Sequence, residues 1–390
     1  MLRLITACLL FISGLNAQPS NPKPSNKDLF DQIDPTLEEL SKLTGLVAKS
    51  KVDRDFITRE KLKEFLQTRI DETVKPEEIR VEELTLKLFG FVPDTYDLKA
   101  STVSLLTEQA AAFYDYRKKK MFLLESAPEI SQRFVLVHEL AHALADQHFH
   151  LEKYIRQGRN DDSATARMAV MEGQAQWLMY ELMAKKTGQS LKTDRSMVQM
   201  FVNASSSGLS QYPELSNAPL YIRESLLFPY TRGLLFQQAV VEKLGDSGFA
   251  EVFRNPPRST REILHPELYF GARKQAKIKA PNIPNANRYN EAVEGEFGEF
   301  DVYVLLKQFT DEATADKLSP HWRAGHYRIM EHKVTKHAVL AVALEFDDAS
   351  SAGEFRRLYE TKVIPAKTKR PGANTVKIQG FRLAILEGIE

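Results

Sequence analysis

Apolar residues recur at three- and four-residue steps over the first part of the chain, most regularly over Glu60 to Ile70 and Val81 to Phe89. That spacing predicts helices with one face turned to a core, and from Asp28 to about Leu106 the pattern is mostly helical. Pro76 is placed to start one helix and Pro93 to close a turn before the next. From Ala111 to Glu125 the period changes. Ala-Ala-Phe-Tyr-Asp, a polar Tyr-Arg-Lys-Lys-Lys and then Met-Phe-Leu-Leu predict two strands joined by a turn. Pro128 and Glu129 then open a helix that carries Phe134 to His150 (FVLVHELAHALADQHFH). A second long helix follows the polar stretch Arg156 to Asp162, with Asp161, Asp162 and Ser163 as candidate caps and Lys185, Lys186 and Gly188 at its end.

Further along, Tyr221 to Leu244 reads as a helix kinked at Pro229, and Ser259 with Glu262 as a capping box for a short helix that stops at Pro266. Residues 271–293 are polar, with Pro281, Pro284 and several Asn, and read as a linker. Beyond Gly295 the pattern predicts a helix (Phe300–Phe309), strands (Tyr327–Glu331 and Ala338–Phe346), a helix (Ser350–Tyr359) and two short strands. The fold class expected is α+β, mainly helical, with residues 28–294 as a main domain under a helical amino-terminal cover and 295–390 as a small α+β module.

Composition fits this reading and bounds the function. The chain has 390 residues, 43% of them hydrophobic, and a formal net charge of +1. There is room for a sizeable core, and no electrostatic argument for nucleic acid or an anionic membrane. Arg3, an apolar run from Leu4 to Gly14 and Ala17 at a small-residue cleavage position read as a secretory signal over residues 1–17. Residues 18–27 (QPSNPKPSNK) read as a disordered leader. The apolar run is too short to span a bilayer, so a secreted or periplasmic protein without a stable membrane anchor is expected. The single cysteine, Cys8, lies inside that run. Ile5-Thr6-Ala7-Cys8 resembles a lipoprotein box, but the run continues past it; the mature chain is expected to have no disulfide.

The candidate chemistry lies in His138-Glu139-Leu140-Ala141-His142. Residues four apart share a helix face, so both imidazoles can reach one metal, and Glu139 stands where a general base for water is needed. A third ligand is suggested by Glu172, which has Met168, Ala169, Ala175 and Met179 three, four and seven positions away. A carboxylate in an apolar stripe needs a cation or strong donors: the metal, or an arginine such as Arg167 or Arg232. His148 is the rival. It stands six residues past His142, the spacing of the third histidine in HExxHxxGxxH sites, but Ala145 occupies the glycine position where that helix must turn. Six more helical residues would rotate His148 about 240° away from His142. The hairpin before this helix offers a sheet edge for a peptide strand, or simply closes the core.

These residues resemble the gluzincin branch of the zincin metallopeptidases, in which HExxH is followed on the next helix by a glutamate ligand. A closer resemblance is to secreted, largely uncharacterised bacterial metallopeptidase-like proteins with HELxHALxDQHF, EGxA, FPYxxG and PPxSTxxxLHPE segments. Those match His138–Phe149, Glu172–Ala175, Phe228–Gly233 and Pro256–Glu267, and so most of residues 110–270. The resemblance implies a zincin-like core, Zn2+ held by His138, His142 and Glu172, Glu139 as base, and a peptide or protein substrate. Gln176 departs from the pattern, since thermolysin-like enzymes have an aspartate there that orients a zinc histidine; its side-chain oxygen is expected to accept from an imidazole more weakly. A second donor to the oxyanion is sought in His265 or Tyr230, each of which could instead make a structural hydrogen bond. Arg232 would orient a substrate carbonyl or neutralise the surroundings of Glu172. Trp322, His326 and Tyr327 read as core or surface aromatics. The competing class is a non-enzymatic secreted domain that keeps zinc for stability and binds a partner. A metal-free His/Glu network is a third reading.

Overall fold

The computed structural model describes residues 29–158, 160–207, 212–272 and 276–389. The expected signal (1–17) and leader (18–27) lie outside the described residues. The amino-terminal part is helical, as the apolar spacing predicts: α1 (Ile33–Thr44), α2 (Arg59–Thr73), α3 (Pro76–Phe89) and α4 (Leu98–Gln109). Pro76 sits in the first turn of α3, and Gly90 ends it at φ 75°, a left-handed conformation that glycine adopts without strain. One strand in this region escapes the pattern. In β1 (Asp53–Ile57) the first three residues are exposed and charged, so no alternation signals it.

The hairpin forms where the period changes. Strands β2 (Ala112–Asp115) and β3 (Lys120–Leu124) pair antiparallel, and β1 joins β3 parallel, giving the order β1-β3-β2 with β2 at the edge. The Leu124 N–H donates to the Ala111 carbonyl. By the alternation of an antiparallel ladder, Ala111, Phe113 and Asp115 face β3, and the backbone groups of Ala112 and Tyr114 project from the outer edge.

Against this sheet lies α5 (Glu129–Phe149), followed by α6 (Leu151–Arg156), α7 (Asp161–Lys186), α8 (Arg195–Ser207), α9 (Pro213–Asn217) and α10 (Leu220–Leu244). Helix α7 is the central one, every residue from Met168 to Leu182 being buried. Its contact with α10 is backbone to backbone. A Cβ on Gly173 would stand 2.2 Å from the Gly233 carbonyl, and one on Gly233 would stand 2.2 Å from the Ala169 oxygen. The glycines of the EGxA and FPYxxG segments therefore let these two helices meet. Further along, Trp177 Nε1 donates to Gln238 Oε1 at 2.7 Å.

Caps differ from those expected. Asn160, not Asp161, Asp162 or Ser163, caps α7, accepting from the Ser163 N–H at 2.8 Å. Helix α11 (Gly248–Arg254) precedes α12 (Thr260–Leu264) and α13 (Pro266–Phe270). The Ser259 side chain makes no cap bond to α12, and Glu262 accepts from the Arg258 N–H, one residue before the position the expected capping box requires. Pro266 begins α13, having no N–H to lose in a first turn.

The carboxy-terminal elements are β4 (Tyr289–Glu296), α14 (Glu299–Phe309), α15 (Glu312–Leu318), β5 (Trp322–His332), β6 (Ala338–Phe346), α16 (Ala349–Leu358), β7 (Ala373–Gln379) and β8 (Arg382–Ile389). The five strands form an antiparallel sheet in the order β4-β5-β6-β8-β7. Strand β4 starts inside the stretch read as linker, because its polar residues lie at a sheet edge where only one face needs apolar cover. Phe297 stacks on Phe89 (4.6 Å) and Phe91 on Tyr221 (4.0 Å), so one aromatic core joins the amino-terminal helices, α10 and this sheet. The class is thus α+β with much helix. Among the described residues no helix is long and apolar enough to cross a membrane.

One buried acid gives this fold a pH signature. Asp162 Oδ1 accepts from the Thr260 N–H and hydroxyl, tying α7 to α12, and burial pushes its carboxyl from 3.8 up to about 8. The folded protein holds this proton where the unfolded chain has lost it. Its contribution to stability is therefore fully present below about pH 4 and is lost as pH rises through about 8. Asp162→Asn keeps the acceptor and removes the titration. Thermal melts between pH 5 and 9 should show the variant gaining on wild type as pH rises; parallel curves would refute the assignment.

Candidate metal centre

Helix α5 carries His138 and His142 one turn apart, and α7 crosses opposite them with Glu172. Three donor atoms converge. His138 Nε2 lies 3.0 Å from His142 Nε2 and 3.1 Å from Glu172 Oε2, which is 3.3 Å from His142 Nε2. A tetrahedral zinc with bonds of about 2.0–2.1 Å requires ligand atoms about 3.3 Å apart, and this triangle is close to one face of such a shell. The donor set of two imidazoles and a carboxylate also suits zinc. All three residues are buried, at 1%, 5% and 1% exposure, so water cannot satisfy them.

The three groups perturb one another's charge. Burial lowers the His138 pKa to about 4, leaving a neutral imidazole. Burial also disfavours charge on His142, but the Glu172 carboxylate outweighs it and raises that pKa. Burial opposes ionisation of Glu172 too, yet the histidines hold it anionic, with a pKa of about 2. The contacts of Glu172 are with His138, His142 and the Tyr230 phenol. Among the described residues no arginine pairs with it. Arg167 donates to the Tyr154 carbonyl, and the Arg232 side chain is exposed, near Glu312, away from the site role considered for it.

Glu139 stands beside the triangle and outside it. It is 3% exposed, and burial raises its carboxyl to about 7, partly offset by His142 and by the backbone N–H of Tyr114. That N–H is one of the outward-facing groups of β2, so the sheet edge touches the site. Tyr230, on α10 one residue past Pro229, lies with its ring 6.2 Å from that of His138 and its phenol in hydrogen-bonding contact with Glu172. Its pKa is raised well above the usual value, first by burial and then by Glu172 and Glu139, so the phenol remains a donor.

Other expected residues are elsewhere. His265 Nε2 pairs with Glu299 Oε1 at 2.7 Å and Nδ1 faces Glu267 at 3.8 Å; Glu299 also takes Arg261 at 2.6 Å. His265 thus joins the α12–α13 corner to α14, and the structure does not bring it to the triangle. His148 Nε2 bonds the Val47 carbonyl at 2.8 Å, consistent with its rotation away from the histidine pair. Gln176 does not accept from an imidazole: its Nε2 donates to the Tyr180 hydroxyl at 2.7 Å, and its buried Oε1 has no hydrogen-bond partner among the described residues. Trp322 and Tyr327 are core residues. Sequence reasoning missed Tyr114 as a neighbour of Glu139. Only its place in the hairpin hinted at it, since the backbone group that matters has no residue-type signature.

Metal content separates the candidate ligands. Purified wild type should hold one zinc per chain, Glu172→Ala should lose it, and His148→Ala should retain it, measured by atomic emission after dialysis. Retention in Glu172→Ala with loss in His148→Ala would overturn the assignment.

Residues 98–201 match the profile of the IrrE N-terminal-like domain, a peptidase M78 family of zinc-peptidase-like proteins. The match runs from α4 into α8, about a quarter of the chain, and includes His138, Glu139, His142 and Glu172, while Tyr230 and His265 fall outside it. No curated protein and no solved structure matches the chain. Over this stretch the chain is similar to a zinc-associated, metallopeptidase-like family, and the buried group that could hold a metal lies within the stretch.

Proposed function

We propose that the protein is a zinc-dependent metallopeptidase with a zincin-like core of gluzincin type, in which His138, His142 and Glu172 hold the metal and Glu139 is the general base. The observation that carries this reading is the convergence of three buried donor atoms with a second carboxylate held beside them, outside the ligand set. A structural zinc site normally completes its shell with four protein ligands and has no use for an adjacent base. Residues 1–17 are read as an export signal, so the substrate is a peptide or protein outside the cytoplasm.

A zinc ion bound there would supply a Lewis acid that brings the pKa of water to about 7 and polarises the scissile carbonyl. Glu139 takes the proton of the attacking water and returns it to the leaving amine. A carboxyl raised by burial towards neutrality is suited to both transfers. The peptide lies along the outer edge of β2, pairing with the projecting backbone groups of Ala112. Because the triangle and β2 are buried, binding requires an opened arrangement. Tyr230 is the covering side chain that touches a ligand; on opening it leaves Glu172, and its phenol then donates to the carbonyl oxygen as charge develops there.

The same burial favours a second reading, in which the metal is structural and the domain acts by binding a partner. Turnover of an unfolded protein substrate distinguishes the two. Glu139→Gln should keep its zinc and lose roughly 10²–10⁴-fold in kcat, and Tyr230→Phe should lose about 10²-fold. Stoichiometric zinc without cleavage by wild type would favour the structural reading.

A further inference from the structure

Helix α5 carries another buried acid on the face of the histidine pair. Asp146 lies one turn past His142 and two turns past Glu139, and is 1% exposed. Its two oxygens have separate partners. Oδ1 accepts from the Leu151 N–H at 2.9 Å, which caps the start of α6. Oδ2 accepts from the Tyr114 hydroxyl at 3.0 Å and from Lys119 Nζ at 2.5 Å. Both Oδ2 partners come from the β2–β3 hairpin.

Tyr114 is therefore tied to α5 through its phenol on Asp146, while its backbone lies near Glu139, two turns earlier on the same helix. The phenol is buried, and burial together with Asp146 raises its pKa, so it stays protonated and donates. Lys119 adds an independent sign that the turn is built for this purpose. It adopts φ 53°, a left-handed conformation usually left to Gly, Asn or Asp, while its ammonium reaches the buried carboxylate. A glycine there would relieve the backbone and lose the ion pair.

We infer that Asp146, through Tyr114 and Lys119, is a positioning residue that fixes the outer edge of β2 against the catalytic helix, so that the peptide-pairing groups of β2 stay beside the metal site. This rests on the peptidase reading for its effect on turnover, but the fixing of β2 does not. The division of labour between the two oxygens makes it separable from helix capping. Tyr114→Phe breaks only the Oδ2 arm, and Asp146→Asn keeps an oxygen for Leu151 while weakening that arm.

The test uses the zinc-loaded full chain with an unfolded protein substrate and, in parallel, amide hydrogen exchange. Tyr114→Phe and Asp146→Asn should each lower kcat about ten-fold or more, with KM within about two-fold and zinc unchanged. Exchange over residues 112–116 should quicken about ten-fold while β1 and β3 keep their protection. The double variant should be little worse than the more damaged single one, as expected for residues acting as one unit. Unchanged exchange over 112–116 in Tyr114→Phe would overturn the inference. So would a fall in kcat that tracks zinc loss, or protection lost evenly across the domain. Should wild type cleave nothing, the peptidase reading fails, and the exchange result alone decides whether Asp146 fixes β2.

Discussion

The carboxylate of Glu172 is buried in the middle of a largely buried helix, and the rest of the site follows from what that burial demands. An ionised carboxylate removed from water costs several kcal/mol unless it is paired. Its partners here are two imidazoles whose Nε2 atoms also face each other at 3.0 Å. Hydrogen bonding among the three cannot satisfy that geometry well, because two ring nitrogens and one oxygen all point to one place. A cation at the centre satisfies all of them together. Arginine, the other partner that chemistry offers, stands elsewhere: Arg167 on the Tyr154 carbonyl and Arg232 in solvent.

The fold holds the three donors together through contacts that tolerate little change. Gly173 follows Glu172 directly and meets the backbone of Gly233, three residues past Tyr230. The close approach of α7 and α10 thus lies beside Glu172 and beside the phenol that touches it. From the other side, β2 packs on α5 through the Tyr114 phenol on Asp146. Two helices and a strand edge, each fixed by its own packing, set the site. Activity would then depend on how that buried arrangement opens.

Much of this is legible in the sequence. The i, i+4 histidines, the isolated Glu172 and the hairpin before α5 appear as patterns of side chains, and those patterns survive folding because local periodicity decides them. Helix α10 was readable despite Pro229, since its apolar spacing continues on both sides. What was not legible depended on contacts between distant segments. Strand β1 is stabilised by pairing with β3, not by alternation of its own residues. His265 lies in a segment with its own motif, yet Glu299, 34 residues later, decides its role as an ion-pair partner. The pattern points Gln176 at a histidine, but Tyr180 one turn on takes its amide. Tyr114 neighbours Glu139 through its backbone, which every residue possesses.

The central claim is that His138, His142 and Glu172 form one metal site. Anomalous diffraction from crystals of the purified protein, collected on both sides of the zinc absorption edge, tests it most directly. The account predicts a single strong peak, present only above the edge, within about 2.0–2.2 Å of His138 Nε2, His142 Nε2 and a Glu172 oxygen. A peak coordinated by other residues, or no peak at the triangle with Glu172 simply hydrogen-bonded to a protonated His142, would contradict it.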